Sequence, residues 1–169
     1  YYGTEQGFTE PRGAMFAAGY ASGGRDRFDT AAPLYRFVQG VTALRRAHPT
    51  LSRGRPTVLR SDAAGPGVLA WRMDPEPGSG APALLVLLNT AQRPALADAL
   101  PLGAPGLQDL ISVYTTESSA QSARTAADGT LTLELPARSG QVFRLPPPAV
   151  GQRVHVGASK RLSLDPPHP

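Results

Sequence analysis

Hydrophobic and polar positions follow two different periods along this chain. Leu34, Phe37, Val38, Val41 and Leu44 recur at helical spacing and draw one apolar stripe, and Arg36, Gln39, Arg45 and Arg46 fall mostly off it. Thr30 can serve as the N-cap, with Asp29 beside it favouring the helix start, and Pro33 suits a first turn. Arg45 and Arg46 complement the C-terminal dipole, and His48-Pro49 ends the helix. The stripe must be buried against something, and a partner for it is largely missing from the chain.

After Pro49 the period changes. Residues 57–60 and 67–72 are short strand candidates. Residues 83–89, ALLVLLN, form a continuous apolar run that reads as a central strand covered on both faces. Residues 107–114 give a further strand. Leu131, Leu133 and Leu135 alternate with Thr132 and Glu134, a half-buried strand introduced by the Asp128-Gly129 turn signal. Residues 141–145 follow Ser139-Gly140. Several short strands at this spacing predict an antiparallel sandwich over about residues 57–145. Pro146-Pro147-Pro148 is a stiff break, beyond which 153–156 and 161–164 are two more strand candidates. There is no internal repeat.

Ahead of the helix, residues 1–29 read as a short strand followed by a long glycine-rich loop. Residues 17–29, AAGYASGGRDRFD, have no apolar period, and unstructured loops of that length are usually functional or disordered. The opening, YYGTEQGF, runs two aromatics straight into a glycine turn. It predicts a piece cut from a longer enzyme.

Composition narrows the classes. Of 169 residues 41% are hydrophobic, enough for a core, and Gly 18 with Pro 18 favours turns and short strands over a helical bundle. Net charge is +4, but Lys160 is the sole lysine and the arginines are scattered, which argues against a nucleic-acid face. Cysteine is absent, so disulfides and thiolate metal sites are excluded. The longest apolar run, residues 83–88, is far too short for a helical membrane span.

The candidate chemistry is that of sugar recognition. Aromatic rings stack on pyranose faces, and carboxylates and guanidiniums bond adjacent hydroxyls bidentately. Tyr1, Tyr2, Phe8, Glu10 and Arg12 supply these types in one turn-rich stretch. The plainer reading makes Tyr2 a core residue and Glu5 a structural carboxylate. His48, His155 and His168 are far apart and lack second ligands at helical or hairpin spacing, so no metal site is assigned. Asp26 and Asp29 lie beside Arg25 and Arg27, which predicts local ion pairs instead of calcium ligation. No Gly-x-Ser-x-Gly elbow, phosphate loop or dinucleotide fingerprint occurs. Trp71, alternating with Leu69, reads as core; an exposed Trp71 would instead offer a polysaccharide platform.

Three stretches together resemble the α-amylase family, glycoside hydrolase family thirteen. YYGTEQGF resembles the Tyr-Tyr-Gly-x-Glu motif of the eighth strand of its catalytic (β/α)8 barrel. TAAPLYRFVQGVTALRRAHPTLSRG is similar to its last barrel helix, with the ending "LR…P.L..G" supplied by Leu44, Arg45, Pro49, Leu51 and Gly54. VLAWRM and LLVLLNTAQRP fit two strands of its C-terminal Greek-key domain. The resemblance covers about residues 1–145.

The resemblance implies an α+β fragment: the last β/α unit of a TIM barrel in residues 1–54, an antiparallel Greek-key β-sandwich in 55–146, and a linker or further segment in 147–169. Barrel active sites lie at the C-terminal ends of the strands, so the loop before the helix would form part of the rim. Family chemistry is retaining, with a carboxylate nucleophile and a carboxylic acid flanking the bond. Those groups and a third carboxylate follow the fourth, fifth and seventh strands, so they would precede this chain. No catalytic residue is assigned here, and Glu5 matches a structural position. Glu10 and Arg12 are the candidate substrate-binding residues. They match a shortened form of the family's D-P-x-N-R loop that lacks the Asn, and a salt bridge between them is the alternative. The implied substrate is an α-glucan or malto-oligosaccharide, hydrolysed or transferred. The rival reading is a non-catalytic carbohydrate-binding or purely structural β-sandwich, which exposed, coplanar Trp71 and Tyr114 would favour. No cofactor is expected in this segment; calcium belongs, if anywhere, to an earlier insertion of the parent. Nucleic-acid and membrane partners are not expected, and secreted, periplasmic and cytoplasmic locations all remain open.

Overall fold

The apolar run at the middle of the chain lies near the middle of the structure. The computed structural model describes residues 3–103, 105–119 and 121–147. A 3-10 turn, Thr4–Gln6, is followed by an irregular loop and two helices, α1 (Pro33–Ala47) and α2 (Thr50–Arg53). Eight strands follow: β1 (Arg55–Ser61), β2 (Val68–Asp74), β3 (Leu84–Asn89), β4 (Ala95–Pro101), β5 (Asp109–Thr115), β6 (Ala123–Arg124), β7 (Thr130–Leu135) and β8 (Ser139–Arg144). They form a six-stranded sheet, β1-β2-β3-β8-β5-β6, and a two-stranded ribbon, β4-β7, all antiparallel.

Strand β3 is apolar from Leu84 to Leu88 because both of its faces are covered. On one face Leu85 and Leu87 join Val68, Ala70, Leu110 and Phe143 of the sheet to Ala97, Leu100, Leu131 and Leu135 of the ribbon in the main core. On the other, Leu84 and Val86 join Met73 and Val142 in a second cluster. Register aligns that second face. Trp71 sits opposite Val58 and Val86, Val86 opposite Val142, and Val142 opposite Tyr114. Trp71 and Tyr114 are therefore half-buried, packed on the second cluster, and burial raises the pKa of the Tyr114 phenol.

Two polar side chains join the layers. Asn89 is 1% exposed; its amide donates to the carbonyls of Arg93, Leu135 and Pro136, and its Oδ1 accepts from Ala91 N at 2.9 Å. It thus satisfies backbone groups where β3 ends and the chain turns from β7 into β8. Arg72 Nε pairs with Asp74 Oδ1 at 2.7 Å, and its Nη1 donates to Leu102 O at 2.8 Å, tying β2 to the segment after β4. The Asp128-Gly129 turn forms as the sequence predicts. Asp128 Oδ1 accepts from both Thr130 N and Thr130 Oγ1, which lowers the pKa of its carboxyl.

The structure departs from the sequence reading in several places. The N-cap of α1 is Ala32, not Thr30, and no side chain caps it; Asp29 Oδ1 accepts from Ala31 N at 2.7 Å, one turn earlier. Strand β4 escaped the sequence reading. Its register shifts between Ala97 and Leu100, and Ala99 takes a left-handed φ of 47°, so the apolar alternation is broken mid-strand. The two-residue strand β6 is too short to leave a periodic signal. The expected opening strand begins on residues 1–2, outside those described; from Gly3 onward the chain is a turn. The strand candidates at 153–156 and 161–164 also lie outside the described residues. Among the described residues no helix is long and apolar enough to cross a membrane.

Candidate functional site

Helix α1 lies over no core of its own. It holds no buried residue, and Leu34, Phe37 and Val38 are 38%, 48% and 44% exposed. At its C-terminal end, by contrast, it is fastened to the sheet. Leu44 of α1 and Leu51 of α2 pack on the second cluster, and buried Thr50 donates its hydroxyl to Pro82 O at 3.0 Å. Gly54 passes so close to the carbonyls of Thr50 and Asp74 that a Cβ there would collide with both. The ending Leu44…Pro49…Leu51…Gly54 is therefore the joint between helix and sheet: two apolar pegs, a proline that opens α2, and a glycine where two backbones meet. A groove of about 770 Å³ runs along α1, lined by Glu5, Tyr35, Val38, Gln39, Thr42 and Arg46 among others.

Between the 3-10 turn and α1, residues 7–32 form a loop held by few bonds. Ala14 N donates to Tyr20 O at 2.8 Å, Arg27 N to Met15 O at 2.7 Å, and Ser22 Oγ to Ala17 O at 2.6 Å. Phe8 folds back over Gly3, whose φ is 78°; a Cβ at Gly3 would stand 2.7 Å from the ring. The Arg27 guanidinium lies 4.8 Å from the centre of that ring, a cation–π contact between two half-buried side chains. Gln6 spans the whole loop. Its Nε2 donates to Asp29 O at 3.1 Å, and its Oε1 accepts from Asp29 N at 3.3 Å.

The predicted site residues stand on this loop. Glu10 and Arg12 are both exposed, on the turn after Phe8, and Arg12 takes a left-handed φ of 61°. They form no ion pair with each other among the described residues. The ion pairs expected of Arg25 and Arg27 with Asp26 and Asp29 are likewise absent among the described residues. Each aspartate instead accepts a backbone N–H two residues on, Asp26 from Phe28 and Asp29 from Ala31. A short side chain meets its own backbone before it reaches a neighbouring guanidinium. Sequence reasoning missed the three exposed aromatics of the loop, Phe16, Tyr20 and Phe28, at 60%, 78% and 65% exposure. Their only signal was their presence in a segment without period. Glu5 is half-buried and lines the groove along α1. Tyr1 and Tyr2 lie outside the described residues, and no group of three or more His, Asp or Glu side chains converges among those described.

A mostly antiparallel chain with a helix fastened to its outer face and a long loop before it has counterparts among solved structures of sugar-processing enzymes. AmyP, solved in complex with maltose, superposes with a TM-score of 0.51 at 20% identity, covering 70% of this chain and 22% of that one. The trehalulose synthase MutB from Pseudomonas mesoacidophila MX-45 gives 0.50 at 21% identity, covering 70% and 18%. At that identity the likeness is one of fold alone. No family model matches the chain. An α-amylase of Streptomyces lividans is 33% identical over 188 aligned positions, covering all of this chain and 19% of that protein. Over its whole length the chain is thus similar to an α-amylase, and it spans about a fifth of that curated relative.

Proposed function

We propose that these residues are the closing part of an α-amylase-type enzyme that hydrolyses or transfers α-glucosidic bonds of starch, glycogen or maltodextrins. Residues 1–54 complete a (β/α)8 catalytic barrel, and residues 55–146 form its C-terminal Greek-key sandwich. The observation that carries this reading is the bare face of α1. Leu44 and Leu51 fix the helix to the sheet, while Leu34, Phe37 and Val38 stay open to solvent. A stripe of that size is stable only against another apolar body, and the rest of the barrel is that body.

On this reading the loop before α1 lies on the rim where barrel enzymes bind substrate. Glu10 and Arg12 contact a sugar ring there, and both are exposed and unpaired with each other, as a substrate contact requires. The nucleophile and the general acid of a retaining double displacement belong to other parts of the whole enzyme, as does any calcium. This chain alone is inactive. Half-burial of Trp71 and Tyr114 on the second cluster speaks against a stacking platform on the sheet. The test is Arg12→Ala in the whole enzyme. Loss of one charge-assisted hydrogen bond raises KM for malto-oligosaccharides about tenfold with folding unchanged; unaltered kinetics would remove the loop from the cleft.

A further inference from the structure

We propose that Gln6 is a positioning residue for substrate. Its carboxamide acts as a surrogate peptide group that closes the loop and sets where Glu10 and Arg12 stand. The inference rests on the reading of that loop as a cleft wall. Gln6 exchanges two hydrogen bonds with the backbone of one residue, Asp29, donating to its O at 3.1 Å and accepting from its N at 3.3 Å across 23 positions of sequence. That is the pattern by which two antiparallel strands share a hydrogen-bonded pair, here with a side chain in place of one strand.

Both anchors are fixed. Gln6 closes the 3-10 turn, bounded by Gly3 and Gly7 at φ 78° and 72°, and that turn abuts α1. Asp29 is held by its own bond to Ala31 N, just ahead of the first residue of α1. The clamp therefore registers the turn against the start of the helix. The other hydrogen bonds within the loop connect loop residues to one another, so the clamp shares the holding of its two ends with the Arg27 contact on Phe8. The chemistry is specific to an amide. Glutamine offers a donor and an acceptor on one planar group, whereas an ionised glutamate would turn an oxygen toward Asp29 O and repel it. Arg12 lies six residues along the chain from Gln6, in a left-handed conformation that a slackened loop would not hold.

The test compares Gln6→Leu, Gln6→Glu and Arg12→Ala with the natural sequence in the whole enzyme. Amide hydrogen exchange over residues 9–28 and steady-state kinetics on malto-oligosaccharides are the readouts. Both Gln6 variants are expected to speed exchange about tenfold, the loss of two modest hydrogen bonds. Both should raise KM at least threefold, with kcat falling by a smaller factor. Gln6→Glu is nearly isosteric and keeps the question answerable should Gln6→Leu fail to fold. Unchanged exchange would overturn the clamp. Faster exchange with an unchanged KM, where Arg12→Ala does raise KM, would overturn positioning and leave the cleft wall standing. An Arg12→Ala enzyme with natural KM would overturn the cleft wall, and the positioning role with it.

Discussion

The β block and the helix with its loop obey the same physics with opposite outcomes. In the block, Leu85, Leu87, Leu131, Leu135 and Phe143 are fully buried, each against partners from another strand of the same chain. In α1 no residue is buried, although its stripe is as regular as any strand pattern. One region completes its core and the other presents half of one. The boundary between them lies within α1, after Val38: Val41 and Leu44 are half-buried, and Leu44 packs on the second cluster. The comparison teaches that amphipathicity records what an element is meant to touch, while burial records what it touches here.

The block should be the part that fails when its interior is cut. Phe143→Ala in the 169-residue chain is expected to cost about 3–5 kcal/mol, the usual range for a buried phenylalanine. Urea unfolding followed by the fluorescence of Trp71, the single tryptophan, measures it. A loss under about 1 kcal/mol would mean that the two layers are not one core.

The smallest effect concerns the Asp128 turn. Hydrogen bonds from Thr130 hold the folded carboxyl below its ordinary value of about 3.9. A depressed carboxyl contributes stability that is full above the unfolded pKa and is lost as pH falls through the folded one. Asp128→Asn should therefore lower stability slightly near pH 7, where the contribution is full, and flatten the acid limb below about pH 4. An acid limb identical to that of the natural chain would show that the turn bonds do not survive in solution.

Much of the block was legible because burial writes its own pattern. Residues 83–89 could be read as a central strand since no polar residue interrupts them before Asn89. Helix α1 was legible from its stripe and Pro33. Strand β4 was not, because a bulge at a left-handed Ala99 shifts the alternation that identifies strands. The loop resisted for another reason. Its order comes from Gln6 meeting Asp29 and from Arg27 lying on Phe8, contacts between distant residues that no period announces. The ion pairs inferred from neighbouring Asp and Arg residues failed because sequence adjacency says nothing about competition from the local backbone. Glu10 and Arg12 came from a motif, and the structure adds that they are exposed.

The most direct test of the bare helix face is the cost of Phe37→Ala, measured by denaturant unfolding in two settings, the 169-residue chain and the whole enzyme. In the chain alone Phe37 is 48% exposed, and the substitution should change stability by no more than about 0.5 kcal/mol. In the whole enzyme, with the stripe seated on the rest of the barrel, it should cost about 3 kcal/mol. An equal cost in both settings would contradict the account, since Phe37 would then owe nothing to a partner outside these residues.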